Sequence, residues 1–173
     1  MLDEARRAAG ESEWPRWVQA DHRDLPFEEA SFDEVLNLFS SLGYRGEEGD
    51  QQTLAQFLRV LRPGGRLVVE TMHRDRLMSI FQPRGWDPLP DGGILVEERG
   101  FDHTAGEIET THTLIDADGR RESFTYRLRL YTATELARLV EGAGFVEVEC
   151  FGGLDREPLS HETRLVVLAR KPS

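Results

Sequence analysis

Hydrophobic positions along this chain change period several times, and the changes divide it into elements. In "MLDEARRAAG" at residues 1–10, Leu2, Ala5, Ala8 and Ala9 share one face at helical spacing, so an amphipathic helix is expected from the first residue. No Ser, Thr, Asp or Asn precedes it as a cap. "RWVQA" (16–20), "FDEVLNLF" (32–39) and "GRLVVET" (65–71) read as short buried strands. Between the last two, Leu54, Phe57, Leu58 and Leu61 recur at i, i+3, i+4 and i+7, the stripe of a helix. Arg59 and Arg62 suit its C-terminal end, and Pro63-Gly64-Gly65 is expected to stop it. Apolar strands alternating with helices predict a parallel sheet with helices on both faces.

A short helix over 73–81 and a Pro/Gly-rich loop over 82–93 come next, and then the period becomes two. Residues 94–101, 107–115 and 122–131 read as strands separated by the turn signals "DHTAG" and "DADGR", an antiparallel meander inserted into an α/β chain. Its last strand puts Phe124, Tyr126, Leu128 and Leu130 on one face, and Thr125, Arg127 and Arg129 on the other. In "TATELARLVEGAGF", Thr132 and Glu135 form a capping box, Leu136, Leu139, Val140 and Ala143 an apolar stripe, and Gly144 a stop. Strands over 145–151 and 163–171 close the chain as an antiparallel pair.

At 173 residues the chain has room for one domain with a sizeable core. Acidic residues outnumber basic ones 32 to 21, and the net charge of −11 argues against nucleic-acid and anionic-membrane partners. Nothing reads as a membrane span or an apolar signal core, so a cytoplasmic setting is expected. The single cysteine, Cys150, excludes an internal disulfide; in "FVEVECF" it reads as a small core residue rather than a nucleophile.

"VQADHRDLPFEEASFDEVLNLFSSLGY", followed by "FLRVLRPGGRLVVET" and the closing "AGF" step, resembles the class I S-adenosylmethionine-dependent methyltransferases. More narrowly, it resembles their small-molecule branch, in which an antiparallel cap follows the fifth strand. The resemblance implies a partial Rossmann-like sheet over 1–81 and 132–173, with an antiparallel cap on the substrate side over 82–131. In that family "MLxxAR" lies in the helix after the second strand. Met1 therefore reads as an internal methionine, and the first two strands, with the GxGxG loop between them, as missing. The expectation is a fragment or misassigned start of a longer protein, or a natural truncated relative. The family's strand order, 3-2-1-4-5-7-6, would then leave open sheet edges that a second copy could cover as a homodimer.

The cofactor implied is S-adenosyl-L-methionine. By resemblance the Asp21 carboxylate accepts from the adenine amino group and the His22 backbone N–H faces the ring; the alternative is that Asp21 only caps a loop. Asn37, Leu38 and Phe39 end the next strand beside the methionine moiety, although Phe39 could equally be core. Leu25-Pro26-Phe27 reads as a rigid turn with an aromatic plug. Tyr44, just after Ser40 and Ser41, could orient an acceptor amine or hydroxyl, or only pack. His73 is a candidate general base, or a solvated histidine at a helix start. Trp86, Tyr126, Arg127 and Arg129 would shape a pocket for a small-molecule acceptor, whereas the two arginines could instead balance Glu97, Glu98, Glu107 and Glu109 across the meander. His103, His112 and His161 are not spaced as a metal site. Two functions stand: a methyltransferase acting on a small molecule, and a non-catalytic interaction module pairing through its exposed sheet.

Overall fold

The computed structural model describes residues 3, 4, 7 and 15–173. Leu2, Ala5, Ala8 and Ala9 lie outside the described residues; Asp3, Glu4 and Arg7 are helical and exposed. The elements that follow are β1 (Phe32–Asn37), α1 (Gly46–Val60), β2 (Leu61–Thr71), α2 (Arg74–Ile80), β3 (Arg84–Pro88), β4 (Ile94–Asp102), β5 (Glu107–Ile115), β6 (Arg121–Arg129), α3 (Ala133–Gly142), β7 (Val146–Phe151) and β8 (Leu165–Arg170). They build an α/β molecule with two four-stranded sheets, ordered β1-β2-β8-β7 and β3-β4-β5-β6.

The first sheet is mixed: β1 runs parallel to β2, while β8 is antiparallel to both β2 and β7. Its order reproduces the 4-5-7-6 part of the expected sheet. The parallel pairing expected of the α/β part is that of β1 with β2, and the antiparallel pair expected at the end of the chain is β7 with β8. Leu67 and Val69 of β2 and Leu165, Val167 and Ala169 of β8 share one buried face, as the two-residue period requires. Leu54 and Phe57 of α1 and Leu136, Leu139 and Val140 of α3 close over that same face. Both helices therefore pack on one side of the sheet and meet each other there, not on opposite faces as expected.

Three local expectations need correction. Residues 16–20 form no strand; they are exposed, and the nearest pairing is an isolated bridge between Asp21 and Asp24. Helix α1 ends at Val60, before the Pro-Gly-Gly turn, because Leu61 is already extended and paired with Phe32. Gly65 is still required where it stands: a Cβ there would lie 2.8 Å from the Arg62 carbonyl oxygen. The expected loop over 82–93 contains β3, whose Trp86 pairs with Val96 of β4.

The Thr132 capping box is present in full. Burial raises the Glu135 carboxyl, but the Thr132 N–H and hydroxyl and the Arg129 guanidinium outweigh it and hold the group at about 2. The Leu25–Phe27 turn is fixed by Arg59, which donates to the Leu25 and Phe27 carbonyls at 2.8 and 2.7 Å, while Phe27 meets the Phe32 ring edge-on. Ile108 and Leu128 of the second sheet and Leu130 just after it form a small core with Met72, Leu77 and Phe81. Among the described residues no helix is long and apolar enough to cross a membrane.

Candidate functional site

Strand β1 ends in a strained turn at the mouth of the first sheet. Asn37 is buried, and its Oδ1 has no hydrogen-bond partner among the described residues. Leu38 is half-buried, whereas Phe39 is 87% exposed, which removes it from the core. Phe39 and Ser40 both adopt left-handed φ values, +58° and +57°, a conformation costing about 1–2 kcal/mol for each L-residue. Glu70 holds them there: its carboxylate accepts the Phe39 N–H at 2.7 Å and its carbonyl the Ser40 N–H at 3.1 Å. The other carboxylate oxygen pairs with Arg164, whose guanidinium also donates to Ser40 Oγ at 3.0 Å. Neither Glu70 nor Arg164 stands out by spacing, but a glutamate inside the apolar run "LVVET" is a readable signal.

Two hollows flank this turn. One, of about 510 Å³, is lined by Asp21, His22, Ser41, Tyr44 and Asp50 among others. The second, of about 740 Å³, is lined by Leu38, Phe39, Glu70 and Arg164 with the loop after β7. Of the expected cofactor residues, Asp21 and His22 line the first hollow, Leu38 and Phe39 line the second, and Asn37 is buried and lines neither. Asp21 is tied to its own loop: Oδ1 accepts the Arg23 N–H at 2.9 Å, and Oδ2 pairs with its guanidinium at 2.7 Å. Those hydrogen bonds hold the carboxyl well below the usual carboxylate range. Beneath the first hollow, Asp50 accepts the Gly43 N–H at 2.9 Å and the Tyr131 hydroxyl at 2.6 Å, and burial pushes its carboxyl up.

Tyr44 reaches from this side to the second sheet, its ring 5.9 Å from that of Tyr126. Partial burial, and then Tyr126, raise its pKa, so at neutral pH it is a protonated phenol, a donor and not a base. Tyr126 also lines a third hollow, of about 380 Å³, between the meander and α2. Strand register sets its wall in rungs: Ile108 and Leu128, with Phe101 opposite Ile108 but outside the lining; then Arg99, Thr110 and Tyr126; then Glu97, with His112 and Phe124 in register but outside the lining. The first rung is apolar, and the last carries Glu97, which pairs with Arg99 and, at 3.0 Å, with His112. Glu97 was expected only as a balancing charge for Arg127 and Arg129, and Arg99 and Thr110 were not singled out from sequence, although alternation places Glu97 and Arg99 on one face with Leu95 and Phe101.

The remaining candidates point elsewhere. Trp86 is exposed on the outer strand β3 and lines none of these hollows. Arg127 pairs at 2.7 Å with Glu109, the residue opposite it in register. Arg129 turns to Glu135 at 3.1 Å and lies over the Tyr131 ring. His73 is buried, not solvated; its Nδ1 lies 3.2 Å from the Ser160 carbonyl oxygen, outside the hollows.

Comparison with known proteins agrees with this architecture. Residues 1–69 match the family model described as a methyltransferase domain. The demethylmenaquinone methyltransferase of Clavibacter sepedonicus is 41% identical over 69 residues, covering 40% of this chain and 27% of its own length. The ubiquinone/menaquinone biosynthesis C-methyltransferase UbiE of Idiomarina loihiensis is 41% identical over 115 residues, covering 60% of this chain and 45% of its own. The chain therefore spans less than half the length of these curated relatives. The CcbJ methyltransferase of Streptomyces caelestis superposes with a TM-score of 0.82 over 99% of this chain and 71% of its own, at 22% identity, a likeness of fold.

Proposed function

We propose that this chain, a class I S-adenosylmethionine-dependent methyltransferase by fold and by the family its first 69 residues match, binds that cofactor at the end of β1. It then serves methyl transfer to a small molecule held under the second sheet, residues 82–131 acting as the cap. The observation that carries the reading is the turn at the end of β1, which brings Leu38 and Phe39 to one hollow and Ser41 to the other beside Asp21 and His22; Asn37 Oδ1, buried just before the turn, has no partner among the described residues. An unpaired buried acceptor costs about 1–3 kcal/mol, which a ligand ammonium would offset. When bound, S-adenosylmethionine supplies a methyl group on a cationic sulfur, a displacement that needs alignment more than acid–base chemistry.

The chain's own residues suit that task. Asn37 and the Leu38 carbonyl would take the amino-acid ammonium. Arg23 donates twice to Asp21 Oδ1 and once to Oδ2, so the carboxylate keeps one lone pair on Oδ2, which would accept from the adenine amino group beside the His22 N–H. Tyr44, a neutral phenol against Tyr126, would orient the acceptor. The names of the curated relatives support a finer reading, a quinone-type acceptor methylated at carbon, and the apolar first rung of the third hollow suits a ring of that kind. S-adenosylhomocysteine titrated into the protein by calorimetry should show saturable binding; a folded chain that takes up none would overturn the assignment.

A second reading, pairing through the sheet, is favoured by one observation. Among the described residues β1 has a strand neighbour on one side only, and Leu36 on it is 58% exposed. A homodimer through that edge predicts a light-scattering mass near twice 19.7 kDa. A mass that stays at one chain as concentration rises rejects it.

A further inference from the structure

Ser40 belongs to two sites at once. It sits on the Phe39–Ser41 turn beside the proposed cofactor position, and it lines the third hollow with Met72, Phe81 and Tyr126. Its Oγ accepts the Met72 N–H at 2.9 Å and an Arg164 N–H at 3.0 Å. A serine hydroxyl has two lone pairs and one proton. Both lone pairs are occupied here, and no acceptor among the described residues takes the proton. The left-handed turn and the Glu70–Arg164 pair fix the oxygen, so this donor does not depend on a mobile side chain. Arg164 behind it polarises the O–H bond, as a charge-assisted hydrogen bond does.

We propose that Ser40 is the acceptor-recognising donor of this enzyme, and that the acceptor is a flat apolar ring bearing a hydroxyl or phenolate oxygen that is not itself methylated. The assignment rests on the methyltransferase reading and adds its substrate class. An amine awaiting methylation needs its lone pair for the methyl group, and a donor aimed at that lone pair would block it. An oxygen elsewhere on the ring accepts from Ser40 without that conflict. Ile108 and Leu128, with Met72, Leu77 and Phe81, supply the apolar wall. A volume of about 380 Å³ suits a ring-sized guest.

The test uses two fluorescent probes of nearly equal shape, 2-naphthol and naphthalene, titrated into the full chain. The unmodified protein should prefer 2-naphthol by about ten-fold, the worth of one good hydrogen bond. Ser40→Ala should bring the ratio close to one and leave naphthalene binding unchanged. An undiminished preference in Ser40→Ala overturns the proposal, as does equal or absent binding of both probes by the unmodified protein. If Ser40→Ala loses both probes, Ser40→Cys decides, being of similar size with a weak donor: naphthalene kept with the preference lost upholds the assignment, and any other result rejects it. S-adenosylhomocysteine titrated into the same samples separates the two failures. Cofactor binding without naphthol preference sinks only the Ser40 assignment, and naphthol preference without cofactor binding sinks the methyltransferase reading.

Discussion

Replacing Glu70 by alanine is expected to remove about 3 kcal/mol of folding stability, the scale of breaking a buried ion pair. Two donors lose their acceptor together. The Arg164 guanidinium stays in place with burial already lowering its pKa, the Phe39 N–H is left unpaired, and the left-handed Phe39–Ser40 turn loses its clamp. Because a third of the Arg164 side chain is exposed, water recovers part of its solvation, which keeps the estimate at the lower end of the range. Urea denaturation reads the change directly. A loss below about 1 kcal/mol, the worth of an ordinary surface ion pair, would show that the network does not hold the turn.

Asp21→Ala is expected to weaken S-adenosylhomocysteine binding by about ten-fold or more, the scale of a lost hydrogen bond to a charged group. Arg23→Ala is the matched control. It removes the guanidinium that holds the Asp21 carboxyl low, yet leaves the carboxylate available, so affinity should move by less than about three-fold. The pair of variants decides between the readings of Asp21. If Asp21→Ala binds as the unmodified chain does, the carboxylate serves only its own loop, and the three bonds from Arg23 are its whole function.

Local chemistry made some of this legible in advance. The Thr132–Glu135 box stands where a Thr-x-x-Glu before an apolar stripe predicts it, because its bonds are formed within one turn. The meander followed from two-residue alternation and strong turn signals, and β5 begins and ends where the pattern placed it. Alternation gives a side chain's face, however, and says nothing of its partner. "RWVQA" had the composition of a strand but is not one among the described residues, and β3 was hidden in Pro/Gly-rich sequence because β4 supplies its order. The same limit applies at the site. Glu70 and Arg164 are 94 residues apart, so no local pattern could join them. Arg127 and Arg129 share a strand face and an expected role, yet the first meets Glu109 across the sheet and the second is drawn to the start of α3.

Amide chemical shifts recorded while S-adenosylhomocysteine is added to the labelled chain test the central claim most directly, since they report where the ligand sits as well as whether it binds. The account predicts saturable shifts grouped at Asp21–Arg23 and at Asn37–Ser41, with smaller ones at Glu70. No shifts, or shifts confined to residues away from the end of β1, would contradict it.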